Sequence, residues 1–139
     1  MEKEGFSGAR LHHIAKGTPD VKRLVAFYQE ILGFERMENP DFGGLEVVWL
    51  KLGQALSLHL IKSDPNSSSS IPTHCMKPMD LPRAHHLCFS IPNFDSFMDT
   101  LKERGIEFHH QTRADGIKQV FFFDPDGNGL EVCSEVVSL

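Results

Sequence analysis

Residues 83–94 read RAHHLCFSIPNF, and residues 10–21 read RLHHIAKGTPDV. Each stretch runs from Arg through His-His into a strand-like segment, then to a Pro before Asp or Asn and an apolar residue. Buried strands rarely begin with two histidines, so the recurrence marks one structural unit written twice. Such repeats decide a fold before any local reading does. At an offset of 73, His13 falls on His86 and Pro19 on Pro92.

The segments that follow both have helical spacing. Val21, Leu24, Val25, Tyr28, Ile31 and Leu32 form one stripe, with Asp20 as N-cap and Gly33 as the stop. Phe94, Phe97, Met98 and Leu101 form the other, between Asn93 and Gly105. Apolar residues at i, i+3, i+4 and i+7 bury one face, and a Gly past the last turn takes the left-handed cap. The second helix is one residue shorter, so the offset falls to 72. Gly33 then meets Gly105, Gly44 meets Gly116, Val48 meets Val120, Trp49 meets Phe121 and Leu58 meets Leu130. The DPDGNG at 124–129 is a strong turn signal between two strands.

The spacing therefore predicts an α+β fold of two βαβββ modules, their strands mostly antiparallel. Residues 1–10 form a tail, 11–62 the first module, and 84–139 the second. Between the modules, residues 63–83 carry four Pro and five Ser and read as a linker.

Composition bounds the function. Hydrophobic residues at 40% and charged residues at 24% suit a globular chain, so disorder is not expected. A formal net charge of −5 argues against nucleic acid, whose phosphates call for a basic surface. Cys75, Cys88 and Cys133 make an odd count without CxxC spacing, which points away from a disulfide framework and toward a reducing compartment. The N-terminal MEKEGFSGAR has no apolar core, and no apolar run is long enough to span a bilayer. The expectation is a cytoplasmic protein with no membrane partner.

The repeat also places His59 on Glu131. Each half thus has a candidate metal ligand on its first strand and another on its last: His13 with His59, and His86 with Glu131. Imidazole and carboxylate are suitable donors for a divalent ion. Strand alternation supports the grouping. Ser57 shares a face with His59, Cys88 and Ser90 with His86, Cys133 with Glu131, and Ala15 and Gly17 with His13. Leu58, Leu60, Leu87, Phe89, Leu130 and Val132 take the opposite face, against the helices. Small residues around the four ligands leave the space a substrate cavity requires, so Ala15, Gly17, Ser57, Cys88, Ser90 and Cys133 are candidate lining residues. By the same parity His12 and His85 turn to the other face, and His74, His109 and His110 read as surface residues. Cys88 and Cys133 read as small filler beside the cavity, with no activating base for a nucleophile.

LHHIAKGTPDVKRLVAFYQEILGF and FFFDPDGNGLEV resemble the vicinal oxygen chelate superfamily over residues 11–134. That group includes glyoxalase I, bleomycin-resistance proteins, fosfomycin-modifying enzymes and extradiol dioxygenases. The resemblance implies one domain overall, with its paired modules curling into a cup and the helices outside. It places the metal on His13, His59, His86 and Glu131, with Zn, Ni, Co or Mn as the ion and Fe less suited. It implies a glyoxalase I-like lyase or isomerase on a small substrate with neighbouring oxygens, a glutathione hemithioacetal being one such molecule. Glu131 would be its base. Homodimers are common in the group, so a homodimer is expected.

Three positions depart from the glyoxalase I pattern: His59 stands where a Glu is usual, Gly17 where an Arg is, and Ser63 where an Asn is. Three neutral imidazoles and one carboxylate leave M(II) with a net +1, which strengthens a Lewis acid and removes one candidate base. The competing expectations are an extradiol-type dioxygenase or thiol transferase and a non-catalytic binding module. Iron oxygenases usually leave positions open around two His and one carboxylate, and a fourth protein ligand argues against that.

Overall fold

Two capped helices organise the two halves of the chain. In the computed structural model, which describes residues 7–66 and 76–135, the Asp20 side chain accepts the Arg23 N–H at 3.1 Å. Asn93 does the same for Ser96 at 3.2 Å. Each satisfies one of the amides a helix start leaves without a partner. The helices that follow are α1 (Val21–Leu32) and α2 (Phe94–Glu103). Gly33 ends α1 at φ +75°, its N–H donating to the Gln29 carbonyl while Phe34 N–H donates to that of Tyr28. That pair of bonds requires the left-handed conformation glycine adopts without strain.

The chain divides into two compact units, Met1–Pro65 and Asn66–Leu139. In the first, β1 (Ile14–Thr18), β2 (Glu35–Met37), β3 (Val47–Leu52) and β4 (Leu56–Lys62) form a sheet in the order β1-β4-β3-β2. In the second, β5 (Leu87–Ile91), β6 (His109–Thr112), β7 (Lys118–Phe123) and β8 (Gly129–Ser134) take the order β5-β8-β7-β6. Each sheet has one parallel pairing, between its first and last strands, and the rest are antiparallel. A helical crossover is what permits that parallel pairing. The registers repeat as well as the elements. Ile14 pairs with Leu58 as Leu87 pairs with Leu130, and Trp49 pairs with His59 as Phe121 pairs with Glu131.

One face of each sheet is covered by its helix. In the first unit Val21, Leu24, Val25, Tyr28 and Ile31 are buried along with Val48, Leu50, Leu58 and Leu60. In the second, Phe94, Phe97 and Leu101 are buried along with Val120, Phe122, Leu130 and Val132, and the Phe97 and Phe122 rings lie 5.8 Å apart. The opposite face of each sheet carries the candidate ligands. No helix among the described residues is long and apolar enough to cross a membrane.

Two local structures refine the sequence reading. The turn of DPDGNG is built around the buried Asp124, whose Oδ1 accepts N–H groups from Asp126 and Asn128, both at 2.9 Å. Its Oδ2 accepts the Asn128 amide at 2.8 Å. The end of the Pro/Ser-rich stretch is a 3₁₀ helix, Pro78–Arg83, packed on β7 and β8 with Pro78 and Leu81 buried. Proline at a first helical position starts a helix rather than breaking it, so composition alone reads this stretch as looser than it is. His74 and Cys75 lie outside the described residues.

The 3₁₀ helix and the strand end meet at Gly129. A Cβ built there lies 2.5 Å from Leu81 Cδ2, 2.6 Å from the His85 carbonyl oxygen and 3.3 Å from His86 Cβ. Gly129→Ala is expected to cost about 1–3 kcal/mol of stability, as overpacking a closed site does. Gly17→Ala, whose Cβ meets nothing nearer than Ser63 Cβ at 3.8 Å, is expected to stay within about 0.5 kcal/mol of wild type. Denaturant unfolding of the two variants checks the contrast.

Candidate metal centre

His13 stands one residue ahead of β1, and Ala15 is opposite His59, so the head of the first strand reaches the middle of the last. The His13 ring stacks on that of His59, centroids 4.1 Å apart and planes at 14°. His59 stacks in turn on its cross-strand partner Trp49, at 4.3 Å and 6°. This three-ring stack fixes the orientation of a half-buried imidazole. Burial lowers the His59 pKa, and His13 and then His12 lower it further. Each of these disfavours the imidazolium, so His59 is kept in the neutral form a metal needs.

His12 does not take the opposite face. Its Nδ1 lies 2.8 Å from His13 Nδ1, and the rings meet edge to face. Alternation holds only where the backbone is extended in a ladder, and β1 begins after both residues, at Ile14. The contact needs one proton between the two nitrogens. When His13 supplies it, His13 Nε2 is left as a lone pair.

The second unit pairs an imidazole with a carboxylate. His86 Nε2 lies 3.0 Å from Glu131 Oε1, and His86 Nδ1 lies 2.9 Å from the Ala84 carbonyl. The ring meets Phe121 edge-on at 5.5 Å. A carbonyl accepts only, so Nδ1 carries a proton toward Ala84 and Nε2 faces the carboxylate. A positive charge between Nε2 and Oε1, either a proton or a metal ion, satisfies both. Donors at right angles on an ion with bonds of about 2.1 Å sit about 3.0 Å apart, so a divalent metal fits this pair.

Glu131 is 7% exposed, and its other oxygen is also held. Oε2 accepts the Gln119 amide at 2.9 Å, Gln119 Oε1 accepts the Gln111 amide at 3.0 Å, and Gln111 Oε1 faces His109 Nε2 at 3.1 Å. All three residues share the ligand face, because Phe121 is opposite both Glu131 and His109 while Gln111 is opposite Gln119. His109 is therefore half-buried at the end of a hydrogen-bond chain, not a surface residue, whereas His110 and His85 are exposed. No sequence pattern marks this chain: HHQ is polar throughout and QVF places Phe121 on the same face as Gln119, so only the β6–β7 and β7–β8 registers set His109, Gln111 and Gln119 on the Glu131 face.

Ala15 and Gly17 are exposed on β1 beside His59 and Ile61, Ser57 is half-buried opposite Lys51, and Ser90 is exposed opposite Cys133. Cys88 is opposite Glu131, with its Sγ 3.7 Å from Cys133 Sγ. Burial pushes the Cys88 thiol pKa up, and the Glu131 charge adds to the rise. Within each unit the structure brings its predicted pair together: His13 with His59, and His86 with Glu131.

Comparison with known proteins places these features in context. The sequence profile of the Glyoxalase/Bleomycin resistance protein/Dioxygenase superfamily matches residues 10–132. Glyoxylase I 4 of Arabidopsis thaliana is 28% identical over 127 residues, covering 89% of this chain and 70% of that protein. The mitochondrial methylmalonyl-CoA epimerase of Bos taurus is 30% identical over 125 residues, covering 86% and 69%. A mutant of the fosfomycin resistance protein FosX from Listeria monocytogenes, crystallised with Mn(II) and 1S,2S-dihydroxypropylphosphonic acid, superposes with a TM-score of 0.69. It covers 96% of this chain and 95% of that one at 20% identity, a likeness of fold.

The hydrogen-bond chain yields an expectation. Gln119→Ala takes the amide donor from a buried carboxylate oxygen, which is expected to cost about 1–3 kcal/mol. Combined with Glu131→Gln, the two losses are expected to be non-additive, because the residues share one bond. A double-mutant cycle by denaturant unfolding measures the coupling, and strict additivity would mean the bond contributes nothing.

Proposed function

Because this chain belongs to the Glyoxalase/Bleomycin resistance protein/Dioxygenase superfamily, we propose that it is a divalent-metal enzyme of the glyoxalase I type. It moves a proton on carbon beside a carbonyl, in a small substrate with two neighbouring oxygens, a glutathione hemithioacetal being the first to try. The observation that carries the reading is Glu131, with one oxygen against His86 Nε2 at 3.0 Å and the other on Gln119. A carboxylate oriented through both of its oxygens is placed to act as a base.

His13, His59, His86 and Glu131 are the proposed ligands of one Zn, Ni, Co or Mn ion. Such an ion supplies positive charge that holds two neighbouring substrate oxygens and offsets the negative charge developing between them. Glu131 takes the proton from carbon and returns it to the adjacent carbon. Gln119 keeps the carboxylate aimed while it is protonated and released. The Trp49–His59–His13 stack holds the two imidazoles without adding charge.

A second reading, epimerisation, has support from the Bos taurus relative. It also begins with loss of a proton beside a carbonyl, but inversion delivers the new proton to the opposite face and needs an acid there. The first unit has His59 where the second has Glu131. A single carboxylate suits removal and return on one face, which favours the isomerase.

The proposal includes a homodimer in which the first module of one chain shares an ion with the second module of the other. A linker of this length, at about 3.3 Å per residue, spans either arrangement, and two-fold dimers are the commonest closed assembly. Glu131→Gln is expected to lower hemithioacetal turnover by about 10²-fold or more while keeping the fold, read by circular dichroism. Mixing inactive His13→Ala and Glu131→Gln chains, with exchange verified, is expected to restore part of the activity, since one of the two sites then collects both lesions. Unchanged turnover in Glu131→Gln removes it as the base. No recovery on mixing places each site within one chain.

A further inference from the structure

The second unit carries a pair of thiols that the proposed reaction does not use. Cys88 and Cys133 lie on neighbouring strands, β5 and β8, two residues apart in register and on the same face, since Cys88 is opposite Glu131 and Ser90 is opposite Cys133. Both are free, with Cys88 exposed and Cys133 half-buried. One sulfur, the other sulfur and a Glu131 oxygen all lie within 4.8 Å of one another. We infer that Cys88, Cys133 and Glu131 form a second cation site, specific for a thiophilic divalent ion such as Zn(II) or Cd(II).

The sulfur spacing supports this. In a tetrahedral site with Zn–S bonds of about 2.3 Å, two thiolates lie about 3.8 Å apart. The observed Sγ–Sγ separation is 3.7 Å, so the thiols stand on the edge of such a tetrahedron without rearrangement. Glu131 supplies a third donor, and the exposure of Cys88 leaves an approach for the ion and a fourth position for water.

The charges suit an ion there. A divalent charge between the thiols and Glu131 makes the carboxylate a fellow ligand of the sulfurs. Binding releases the two thiol protons to water and leaves two thiolates and one carboxylate around M(II), a net −1. Soft sulfur donors select Zn(II) and Cd(II) over Mn(II), so the site discriminates among ions where the His/Glu set does not. The first unit cannot build a copy. Its residues in the places of Cys88 and Cys133 are Ala15 and Ile61.

Glu131 faces His86 on one side and the thiols on the other, so an ion on the thiols draws on the carboxylate that the proposed reaction needs. The site itself does not depend on that reaction. Cd(II) titration of the reduced, metal-free protein, followed by thiolate-to-metal charge-transfer absorption in the ultraviolet, tests it. The expected result is one charge-transfer site per chain, lost in Cys88→Ser and in Cys133→Ser and retained in Cys75→Ser. His86→Ala should keep the band while losing Mn(II), which separates this site from the proposed catalytic one. Glu131→Gln should keep the band and weaken Cd(II) binding. Absence of the band in the wild-type protein, or its persistence in Cys88→Ser or Cys133→Ser, or its loss in Cys75→Ser, would overturn the inference.

Discussion

A parallel pairing between the first and last strands of each module positions every candidate ligand. Ile14 opposite Leu58 sets His13 beside His59, and Leu87 opposite Leu130 sets His86 beside Glu131. A slip of one residue would turn each last-strand ligand into the helix-packed core. That slip is opposed by Leu58, Leu60, Leu130 and Val132, all buried against the helices. The apolar core on one face thus fixes the polar residues on the other.

The two modules hold their candidate ligands differently. The first uses rings, with Trp49 behind His59 and His59 behind His13. The second uses amides, with Gln111 and Gln119 leading to Glu131. A neutral imidazole packs against an indole at little cost, whereas a buried carboxylate must be hydrogen-bonded or paired. The repeat makes the contrast visible. The residues Met37, Asn39 and Val47 occupy the places of His109, Gln111 and Gln119, and there the Asn39 amide donates to the Val47 carbonyl at 3.3 Å rather than to a side chain leading to His59.

Much of this was legible in the sequence. The offset between RLHH and RAHH, the caps at Asp20 and Asn93, and the glycines at 33 and 105 all act locally, and the structure bears them out. The grouping of His13 with His59 and of His86 with Glu131 followed from the repeat. His12 departs from the parity expectation because strand alternation does not extend ahead of Ile14, where β1 begins. His109 reads as a surface residue in the sequence because its role appears only when β6 is paired with β7 and Gln111 meets Gln119. The 3₁₀ helix at Pro78–Arg83 was hidden in a composition that otherwise reads as a linker.

The central claim is that both modules give their ligand pairs to one ion. X-ray absorption on the Mn(II)-loaded protein counts imidazoles directly, through the multiple scattering that rigid rings produce. Three imidazoles and one carboxylate per ion are predicted, falling to two imidazoles in His59→Ala. One or two imidazoles per ion in the wild-type protein would show the pairs binding separately, and would contradict the account.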